Sequence, residues 1–307
     1  MEISIIIVNW NTKTICKNCL HSIYNYTKIE KLEIVVVDNA STDGSQTMIR
    51  ECFPEVKLIA LSYNSGFSKA NNIGINSAKY NNILLLNSDT VFIEDSVSRI
   101  LNFMKTKPDA GVTGCRILNP DLTNQVSCFT FPGLLNLFLL VTFLSRLFPK
   151  STICGREEFS WWDYNDSRKV DGLKGCFMCI RKDVINSVGL LDENFFFYGE
   201  DMDWCYRMLK KGYKNYFCAD TKIIHISRAS SDQHSDRFLF LLRKSKLDFI
   251  KKHRTPWYYY SCYFLTMVYF FTRYLSNRLK KCLFHSNCRE TDTKARIYKD
   301  CFFKMIL

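Results

Sequence analysis

The amino-acid sequence predicts an α/β fold in which helices flank a mostly parallel central sheet. Through the first third of the chain, short β-branched apolar segments alternate with segments of helical periodicity, which is typical of βαβ units. Each predicted strand is followed by a polar loop. Positive charge is concentrated after residue 236, which predicts a separate C-terminal extension.

The predicted strands are almost entirely apolar, as expected for strands that are buried on both faces. In such sheets ligands bind beyond the carboxyl ends of the strands. The strands are residues 3–8, 32–37, 56–60 and 83–86, and the helices are residues 12–26, 45–52, 68–79 and 94–105.

The loops after the four strands are short and rich in Asp, Asn, Ser and Gly. Turn and helix-cap chemistry explains any one of them. Four such loops at one edge of a sheet indicate a polar crevice suited to a sugar, a base and a diphosphate. The loops are residues 9–11, 38–45, 64–67 and 87–89.

Two further features point to chemistry. Asp89 ends a buried strand, where one carboxylate and diphosphate oxygens are a usual set of ligands for Mg²⁺ or Mn²⁺. Glu200, Asp201 and Asp203 lie within four residues among aromatic side chains. They are explained either by a helix N-terminus or by a general base whose carboxylate is desolvated. A single histidine such as His225 is more often structural than a ligand.

Taken in order, these motifs resemble the family 2 glycosyltransferases, and most of all their bacterial rhamnosyltransferase-type branch. The resemblance runs from residue 3 to about residue 230. Its motifs are residues 4–11, 36–45, 64–67 with Asn71, Asn72 and Gly74, 85–89, 175–178 and 198–201.

The resemblance implies a GT-A fold. Together with the charge distribution it predicts a catalytic domain over residues 1–236, with a nucleotide-binding part at about 1–115 and an acceptor part at about 116–236. A basic, aromatic, helical tail would occupy residues 237–307 and associate with a membrane.

The resemblance also implies roles for individual residues. Asp201 would be the catalytic base, paired with Glu200, and Asp89 and His225 would hold the metal. Donor and nucleotide contacts are expected from Asn9, Asn11, Asp38, Ser41, Asp43, Asn64, Gly66, Phe67, Asn71, Asn87 and Ser88, with Asp38 bonded to the base. Acceptor contacts are expected from Gly175, Cys176, Tyr198 and Trp204.

Two positions depart from the family pattern. Asn87 stands where the first acid of the family's Asp-x-Asp motif is usual. Arg228 stands three residues after His225, where the family often has glycine, and an arginine there could contact diphosphate.

The implied reaction is inverting transfer of a sugar from a dTDP- or UDP-sugar to a hydroxyl of a lipid-linked saccharide, with Mg²⁺ or Mn²⁺. Rhamnose is the branch-level expectation, and the process would be synthesis of a surface polysaccharide such as O-antigen, capsule or cell wall. The alternatives are a degenerate nucleotide-sugar-binding protein and a sugar nucleotidyltransferase. The latter needs a Gly-rich basic loop after the first strand, where this chain has Asn9-Trp10-Asn11-Thr12.

The charge distribution bears on partners. The formal charge of +12 arises entirely from residues 237–307, which hold 16 basic and 4 acidic residues. Within them residues 255–272 carry no formal charge and are rich in Tyr, Trp and Phe, which prefer the membrane interface. The charge and aromatic content of residues 237–307 predict interfacial helices on an anionic membrane. The alternatives are a single membrane span, an oligomer or core helix, and a nucleic-acid-binding tail.

The predicted location is the cytoplasm, peripheral on the inner face of the cell membrane, with no nucleic-acid partner. The 14 cysteines fit a reducing compartment. Cys16/Cys19 and Cys176/Cys179 have CxxC spacing, and buried or incidental cysteines are favoured over zinc because the two pairs lie in unlike contexts. The apolar residues 134–144 are too few to span a bilayer as a helix and predict a buried or interfacial helix.

Overall fold

A computed structural model of the chain describes residues 1–195, 198–226, 236–284 and 288–306. The strands are β1 (Glu2–Asn9), β2 (Lys31–Asp38), β3 (Lys57–Ala60), β4 (Asn82–Asn87), β5 (Thr90–Phe92), β6 (Ala110–Leu118), β7 (Asn124–Gln125), β8 (Cys128–Phe129), β9 (Arg168–Val170), β10 (Gly172–Leu173), β11 (Phe177–Arg181) and β12 (Lys214–His225). The helices are α1 (Lys13–Tyr26), α2 (Ser45–Cys52), α3 (Phe67–Ser77), α4 (Ser96–Lys105), α5 (Leu134–Val141), α6 (Leu144–Leu147), α7 (Lys182–Val188), α8 (Glu200–Lys210), α9 (Asp236–His253), α10 (Pro256–Phe284) and α11 (Cys288–Ile306).

The central sheet has the strand order β3-β2-β1-β4-β11-β6-β12-β5, with β7 and β9 added at β6 and β12. The first four strands are parallel, β11 is antiparallel to both β4 and β6, and β12 is parallel to β6. The sheet is therefore parallel in its N-terminal part, as predicted, and mixed beyond it.

The reversal at β11 fixes which strand ends meet. Because β11 runs against β4, and β6 runs against β11, β6 and β12 point the same way as β4. The carboxyl ends of β1, β2, β4, β6 and β12 thus lie at one edge of the sheet, together with the amino end of β11. Most of the sequence-predicted site residues belong to one of these strand ends or the loop next to it. The exceptions lie between β3 and the end of α3, or at and just before α8: they are Asn64, Gly66, Phe67, Asn71, Tyr198, Glu200, Asp201 and Trp204.

The predicted strands and helices of the first third are confirmed, with end shifts of one or two residues. Their apolar side chains form the core, in which Ile3, Ile5 and Ile7 of β1 and Ile34 and Val36 of β2 are buried. Gly74 on α3 permits close packing, because a Cβ there would lie 2.2 Å from Cγ2 of Ile6. Alternation of apolar strands and amphipathic helices therefore determines this part of the fold.

The chain forms two compact units. The first comprises residues 1–131 and 162–230, and the second comprises residues 132–161 and 231–307. Residues 132–161, which the sequence assigned to the catalytic domain, thus group with the C-terminal helices. The order of elements along the chain does not indicate that residues 132–161 belong to the same unit as the C-terminal helices.

The second unit is helical. The N–H of Leu134, at the start of α5, donates to the hydroxyl of Tyr258 at 3.0 Å, and Arg273 on α10 donates to the carbonyl of Leu140. The hydroxyl of Tyr263 on α10 donates to the carbonyl of Met305 on α11. Within the described parts of the chain, no helix combines the length and the apolar character needed to cross a membrane.

Candidate active site

Polar loops from neighbouring strands meet at the carboxyl edge of the sheet. Nδ2 of Asn9 donates to Oδ2 of Asp38 at 2.9 Å and to Oγ of Ser41 at 3.2 Å. The hydroxyls of Thr12 and Ser88 lie 3.2 Å apart. The loops after β1, β2 and β4 are therefore tied directly to one another.

Asp38 lies fully buried behind these loops. Besides the Asn9 bond, its carboxylate accepts hydrogen bonds from the N–H of Ser41 at 2.9 Å and from Nε2 of Gln46 at 2.8 Å. Because neither Asp38 nor Asn9 has exposed surface, Asp38 presents no atom to a nucleotide base in this arrangement. This differs from the predicted direct contact, since the three hydrogen bonds use the carboxylate to orient the loop.

Asn11 and Asp43 fasten the loop after β1 to the loop after β2. Oδ1 of Asn11 accepts a hydrogen bond from the N–H of Thr42 at 2.8 Å. Asp43 accepts from the N–H of Lys13 at 2.8 Å and from that of Ser45 at 3.0 Å, so that it caps the first turns of α1 and α2. Burial opposes ionisation of Asp43, but the hydrogen bonds from Ser45 and Lys13 outweigh it and lower the pKa.

The third loop is organised around Asn64. Its Oδ1 accepts hydrogen bonds from Nδ2 of Asn39 at 2.9 Å and from the N–H of Gly66 at 3.0 Å. Gly66 has a φ of 84°, a conformation that favours glycine, and it leads into α3 at the half-buried Phe67. Nδ2 of the buried Asn71 donates to the carbonyl of Phe67 at 3.0 Å, so this donor serves its own helix.

Asp89 and His225 are neighbours although they are far apart in the sequence. Nε2 of His225 lies 3.1 Å from Oδ1 of Asp89, and each side chain is little more than one tenth exposed. The sheet brings them together, because Thr90 at the start of β5 lies opposite His225 at the end of β12. The pair predicted to hold a metal is thus assembled by strand pairing.

The residues at this pair fit a divalent cation whose remaining ligands come from a bound diphosphate. A carboxylate and an imidazole are suitable protein ligands for Mg²⁺ or Mn²⁺. Oδ1 of Asn87 is buried and has no hydrogen-bond partner in the described residues, which leaves another oxygen two positions before Asp89. Within residues 1–195, 198–226, 236–284 and 288–306, no group of three His, Cys, Asp or Glu side chains forms a closed metal site.

The three acids at the start of α8 have different environments. Asp203 is fully buried, and its Oδ2 accepts a hydrogen bond from Nε of Arg207 at 2.7 Å. The same guanidinium donates to two backbone carbonyls at 2.8 and 2.7 Å. Asp203 is therefore held in a structural ion pair, and Glu200 and Asp201 are the acids left for chemistry.

Glu200 and Asp201 sit in a desolvated position. Oδ2 of Asp201 accepts a hydrogen bond from the N–H of Gly175 at 3.0 Å, and Oδ1 accepts one from the N–H of Met202 at 2.7 Å. Burial raises the pKa of Asp201 against these hydrogen bonds. Burial and the neighbouring Asp201 charge raise the pKa of Glu200 to about 8. Oε2 of Glu200 is buried and has no hydrogen-bond partner in the described residues.

An unusual backbone bend places these acids. Tyr198 and Gly199 both have positive φ, at 68° and 94°, and α8 begins at the next residue. A left-handed conformation is unfavourable for a residue with a Cβ, and such strain gathers at functional sites. Phe196 and Phe197, two of the aromatic residues that precede the acids in the sequence, and Arg228 lie outside the described residues.

Trp204 does not reach the crevice. It is fully buried, and its Nε1 donates to the carbonyl of Gly189 at 2.8 Å. Its position on α8 turns it toward the core, so it cannot stack on an acceptor sugar as predicted. The half-buried Tyr198 keeps the exposure that such a contact needs.

Gly175 and Cys176 contact both the acid Asp201 and the strand end that precedes Asp89. The N–H of Gly175 binds Asp201, while the carbonyl of Cys176 accepts from the N–H of Asn87 at 3.1 Å. Burial and the charges of Asp89 and Asp201 raise the pKa of the Cys176 thiol to about 12. One short segment before β11 therefore touches both parts of the site.

The cysteines at CxxC spacing are all buried free thiols. Burial raises the pKa of Cys19, of Cys176 and of Cys179 to about 12, and that of Cys16 well above its usual value. The thiolate form needed for metal binding is disfavoured in such surroundings.

Three residues that the sequence did not single out contact the predicted ones. They are Gln46 at Asp38, Arg207 at Asp203, and Gln125, whose Oε1 lies 2.6 Å from Nδ1 of His225. The i, i+4 spacing from Asp203 to Arg207 is a signal that could have found the ion pair. Gln125 lies on the short strand β7, and nothing in the sequence connects it to His225.

Comparisons with known proteins find similar sequences. Residues 4–138 match the sequence family described as Glycosyl transferase family 2. The N-acetylglucosaminyl-diphospho-decaprenol L-rhamnosyltransferase of Mycobacterium tuberculosis is 24% identical over 240 residues, which cover 74% of this chain and 77% of that protein. A low-salt glycan biosynthesis hexosyltransferase of Haloferax volcanii is 28% identical over 229 residues, covering 73% of this chain and 67% of that protein.

Two solved structures share the fold. A mannosyltransferase from Pyrobaculum calidifontis, in complex with GDP-Man and Mn²⁺, superposes with a TM-score of 0.61 at 13% identity and covers 99% of this chain and 87% of that one. GalNAc-T7 with UDP, GalNAc and Mn²⁺ superposes with a TM-score of 0.60 at 14% identity, covering 100% of this chain and 56% of that one.

Proposed function

We propose that this chain, a glycosyltransferase of family 2 with the GT-A fold, moves a sugar from a dTDP- or UDP-sugar to a lipid-linked saccharide. The transfer would proceed with inversion, and rhamnose is the sugar expected from the rhamnosyltransferase-type branch. The observation that carries the proposal is the contact of residues 175–176 with both Asp201 and the strand end that bears Asp89. The proposed base and the proposed metal-binding pair thereby lie at one edge of the sheet. The name of the Mycobacterium tuberculosis relative, which specifies a diphospho-decaprenol acceptor, supports a lipid-linked acceptor here.

Asp201 is proposed as the general base. Its two hydrogen bonds, from Gly175 and Met202, fix the carboxylate while each oxygen keeps a lone pair. Burial strengthens its basicity, which suits it to accept the proton of the acceptor hydroxyl as that oxygen attacks the anomeric carbon. A single displacement from the face opposite the diphosphate gives inversion.

Glu200 is proposed to act in the protonated state. With a pKa of about 8 it carries a proton at neutral pH, so only one negative charge has to be accommodated beside the acceptor. Its buried Oε2 has no hydrogen-bond partner in the described residues, so the neutral form avoids leaving an unpaired charge close to the acceptor sugar. Gly175 and Tyr198 are the proposed neighbours of that sugar.

Asp89 and His225 are proposed to hold Mg²⁺ or Mn²⁺. When bound, the cation supplies positive charge beside the diphosphate leaving group. Asn87 and Ser88, which directly precede Asp89, are proposed to contact the donor. The nucleoside is proposed to lie among the loops that bear Asn11, Ser41, Asp43, Asn64 and Gly66. Asp38 and Asn9 position these loops.

The second unit is proposed to place the enzyme on the inner face of the cell membrane. Six large apolar side chains of α10 are 41–68% exposed and fall within a sector of about 100°, along a helix length of about 33 Å. Basic residues precede the helix at Lys251, Lys252 and Arg254. An apolar stripe with flanking positive charge suits an anionic membrane surface. The stripe consists of Trp257, Tyr260, Phe264, Phe271, Leu275 and Leu279.

The transfer proposal is tested by screening UDP-, GDP- and dTDP-sugars for nucleotide release with Mg²⁺ or Mn²⁺. Metal-dependent release with one donor, increased by a lipid-linked saccharide, is expected. Binding of a donor without release under any of these conditions would favour a binding protein and contradict the enzyme role at this site.

The membrane proposal is tested by co-sedimentation with anionic vesicles, zwitterionic vesicles and a DNA competitor. The wild type should sediment with anionic vesicles, and Phe264→Asp should reduce the bound fraction severalfold. Tyr26→Asp, which alters an exposed aromatic residue of the first unit, serves as the control. Equal binding of Phe264→Asp, or a preference for DNA, would overturn the proposal.

A further inference from the structure

The hydrogen bonds around His225 define which of its ring nitrogens carries a proton. Nδ1 of His225 lies 2.6 Å from Oε1 of Gln125, and Nε2 lies 3.1 Å from Oδ1 of Asp89. An amide oxygen only accepts hydrogen bonds, so the first contact requires a proton on Nδ1. The orientation of the Gln125 amide therefore decides the tautomer.

That orientation is set by a chain of hydrogen bonds in the hairpin between β6 and β7. Nε2 of Gln125 donates to Oδ1 of Asn119 at 2.9 Å, and Nδ2 of Asn119 donates to Oγ1 of Thr123 at 2.9 Å. The Thr123 hydroxyl in turn donates to Oδ1 of Asp121. Hydrogen bonding from Thr123 lowers the pKa of Asp121, which keeps that carboxylate ionised and able only to accept.

The direction of the whole chain follows from Asp121. Because an ionised carboxylate cannot donate, the Thr123 hydroxyl must point at it, and each amide beyond must present its nitrogen to the preceding group. Nε2 of Gln125 makes a second contact, at 3.3 Å, with the carbonyl of His225, which is also only an acceptor. Both contacts leave Oε1 of Gln125 as the atom that faces the imidazole.

With Nδ1 protonated, a neutral imidazole presents the lone pair of Nε2 to the carboxylate of Asp89. A lone pair and a carboxylate oxygen repel each other at 3.1 Å unless a cation, either a proton or a metal ion, lies between them. The hairpin thus orients His225 for cation binding, in the way that outer hydrogen bonds orient metal-bound histidines generally.

We propose that Gln125 is a positioning residue that fixes His225 in the Nδ1–H tautomer, so that Nε2 and the Asp89 carboxylate together bind the divalent cation. The proposal rests on the metal-assisted function proposed above. It adds a residue that touches neither donor nor acceptor and acts through the ring of His225.

The test compares Gln125→Met, which removes the hydrogen bonds at similar volume, with Gln125→Glu, which keeps an acceptor for Nδ1–H. Asn124→Ala is the matched control, because Asn124 is adjacent on β7 but donates to the carbonyl of Asp163. Mn²⁺ affinity is measured by electron paramagnetic resonance with UDP present. Gln125→Met should weaken binding by roughly 10–100-fold, whereas Gln125→Glu should stay within severalfold of the wild type and Asn124→Ala should be unchanged.

Histidine ¹⁵N spectra provide a second readout that a purely structural role would not move. The chain has only 5 histidines, and His225→Gln identifies the signal. The wild type should show Nδ1–H and Gln125→Met a shift toward Nε2–H, with thermal unfolding showing that each variant is folded. Wild-type Mn²⁺ affinity and an unchanged tautomer in Gln125→Met would overturn the proposal.

The two proposals fail in different ways. If the wild type binds no Mn²⁺ but shows the Nδ1–H form, the metal role of Asp89 and His225 is wrong while Gln125 still sets the tautomer. If the wild type binds Mn²⁺ and Gln125→Met does so equally, only the role of Gln125 is wrong.

Discussion

The backbone N–H of Gly175 donates a hydrogen bond to Oδ2 of Asp201 at 3.0 Å. Gly175 precedes β11, whereas Asp201 lies in the first turn of α8, so the contact joins a strand to a helix. A Cβ at position 175 would lie within 3.8 Å of oxygens from both Asp201 and Glu200. Both acids therefore lie next to the same backbone position, which supports Asp201 directly.

Replacement of Asp201 by Asn should abolish transfer while leaving donor binding intact. The amide keeps the volume and can still accept from Gly175, but it cannot take a proton, and a general base contributes roughly 10²–10⁴ in rate. Nucleotide release in the presence of acceptor measures the first effect and calorimetric titration with donor the second. Transfer at a near-normal rate would show that another group is the base.

Gly199→Ala should lower both stability and activity. The φ of 94° disfavours a residue with a Cβ by roughly 1–2 kcal/mol, and relief of that strain would shift Glu200 and Asp201. Gly212→Ala is the control, because Gly212 has a similar φ of 89° and no atom within 4 Å of an added Cβ. Thermal unfolding should report similar losses for both variants, and only Gly199→Ala should lose transfer. Equal activities would mean that the bend does not position the acids.

Arg207→Ala should destabilise the first unit strongly. The change removes the guanidinium that pairs with the fully buried Asp203, and breaking a buried pair in this way costs about 3–5 kcal/mol. Lys244→Ala removes an ion pair of the same i, i+4 spacing with Asp248, but there both side chains are about half exposed, so the loss should be about 0.3–0.5 kcal/mol. Chemical denaturation of both variants makes the comparison. Similar small losses would mean that Asp203 is not held as a buried charge.

The raised pKa of Glu200 should make the protein less stable as the pH rises from about 4.5 to about 8. Its folded-state pKa of about 8 lies above the ordinary value of 4.5, so between these values the folded protein keeps a proton that the unfolded chain releases. The associated stability is complete below about pH 4.5 and is lost as the pH rises toward 8. The side chain of the Glu200→Gln variant cannot ionise. The melting temperature of this variant should therefore fall less than that of the wild type between about pH 5.5 and pH 8.5. Parallel melting curves across this range would contradict the raised pKa.

The fold of the first third was predictable because its signals are local. The apolar runs and helical spacings of residues 3–105 define elements that need no distant partner to be recognised. The pairing of Asp89 with His225 came only through the resemblance, since it depends on β12 reaching β5 across the sheet. Gln125 had no signal at all, because a two-residue strand has no periodicity.

Residues that had the same expected role in the sequence differ in how deeply they are buried in the structure. Asp38 and Asp43 stand in one polar loop, yet the first is fully buried and the second is exposed. Tyr198 and Trp204 are both aromatic residues beside the acids, yet only Trp204 faces the core. Helix phase and strand register decide these directions, and both depend on packing that a single sequence does not reveal.

The reversed direction of β11 has a consequence for how the site can change. Residues 175–176 lie at the amino end of this strand. This part of the site is therefore a loop that precedes its strand, whereas the loops after β1, β2 and β4 follow their strands. The register of β11 against β4 is set by residues 177–181, which follow that loop. Changes at residues 174–175 can therefore alter the surroundings of Asp201 while the pairing of β11 with β4 is kept. This arrangement would let the surroundings of the proposed base vary while the strand end next to Asp89 stays fixed.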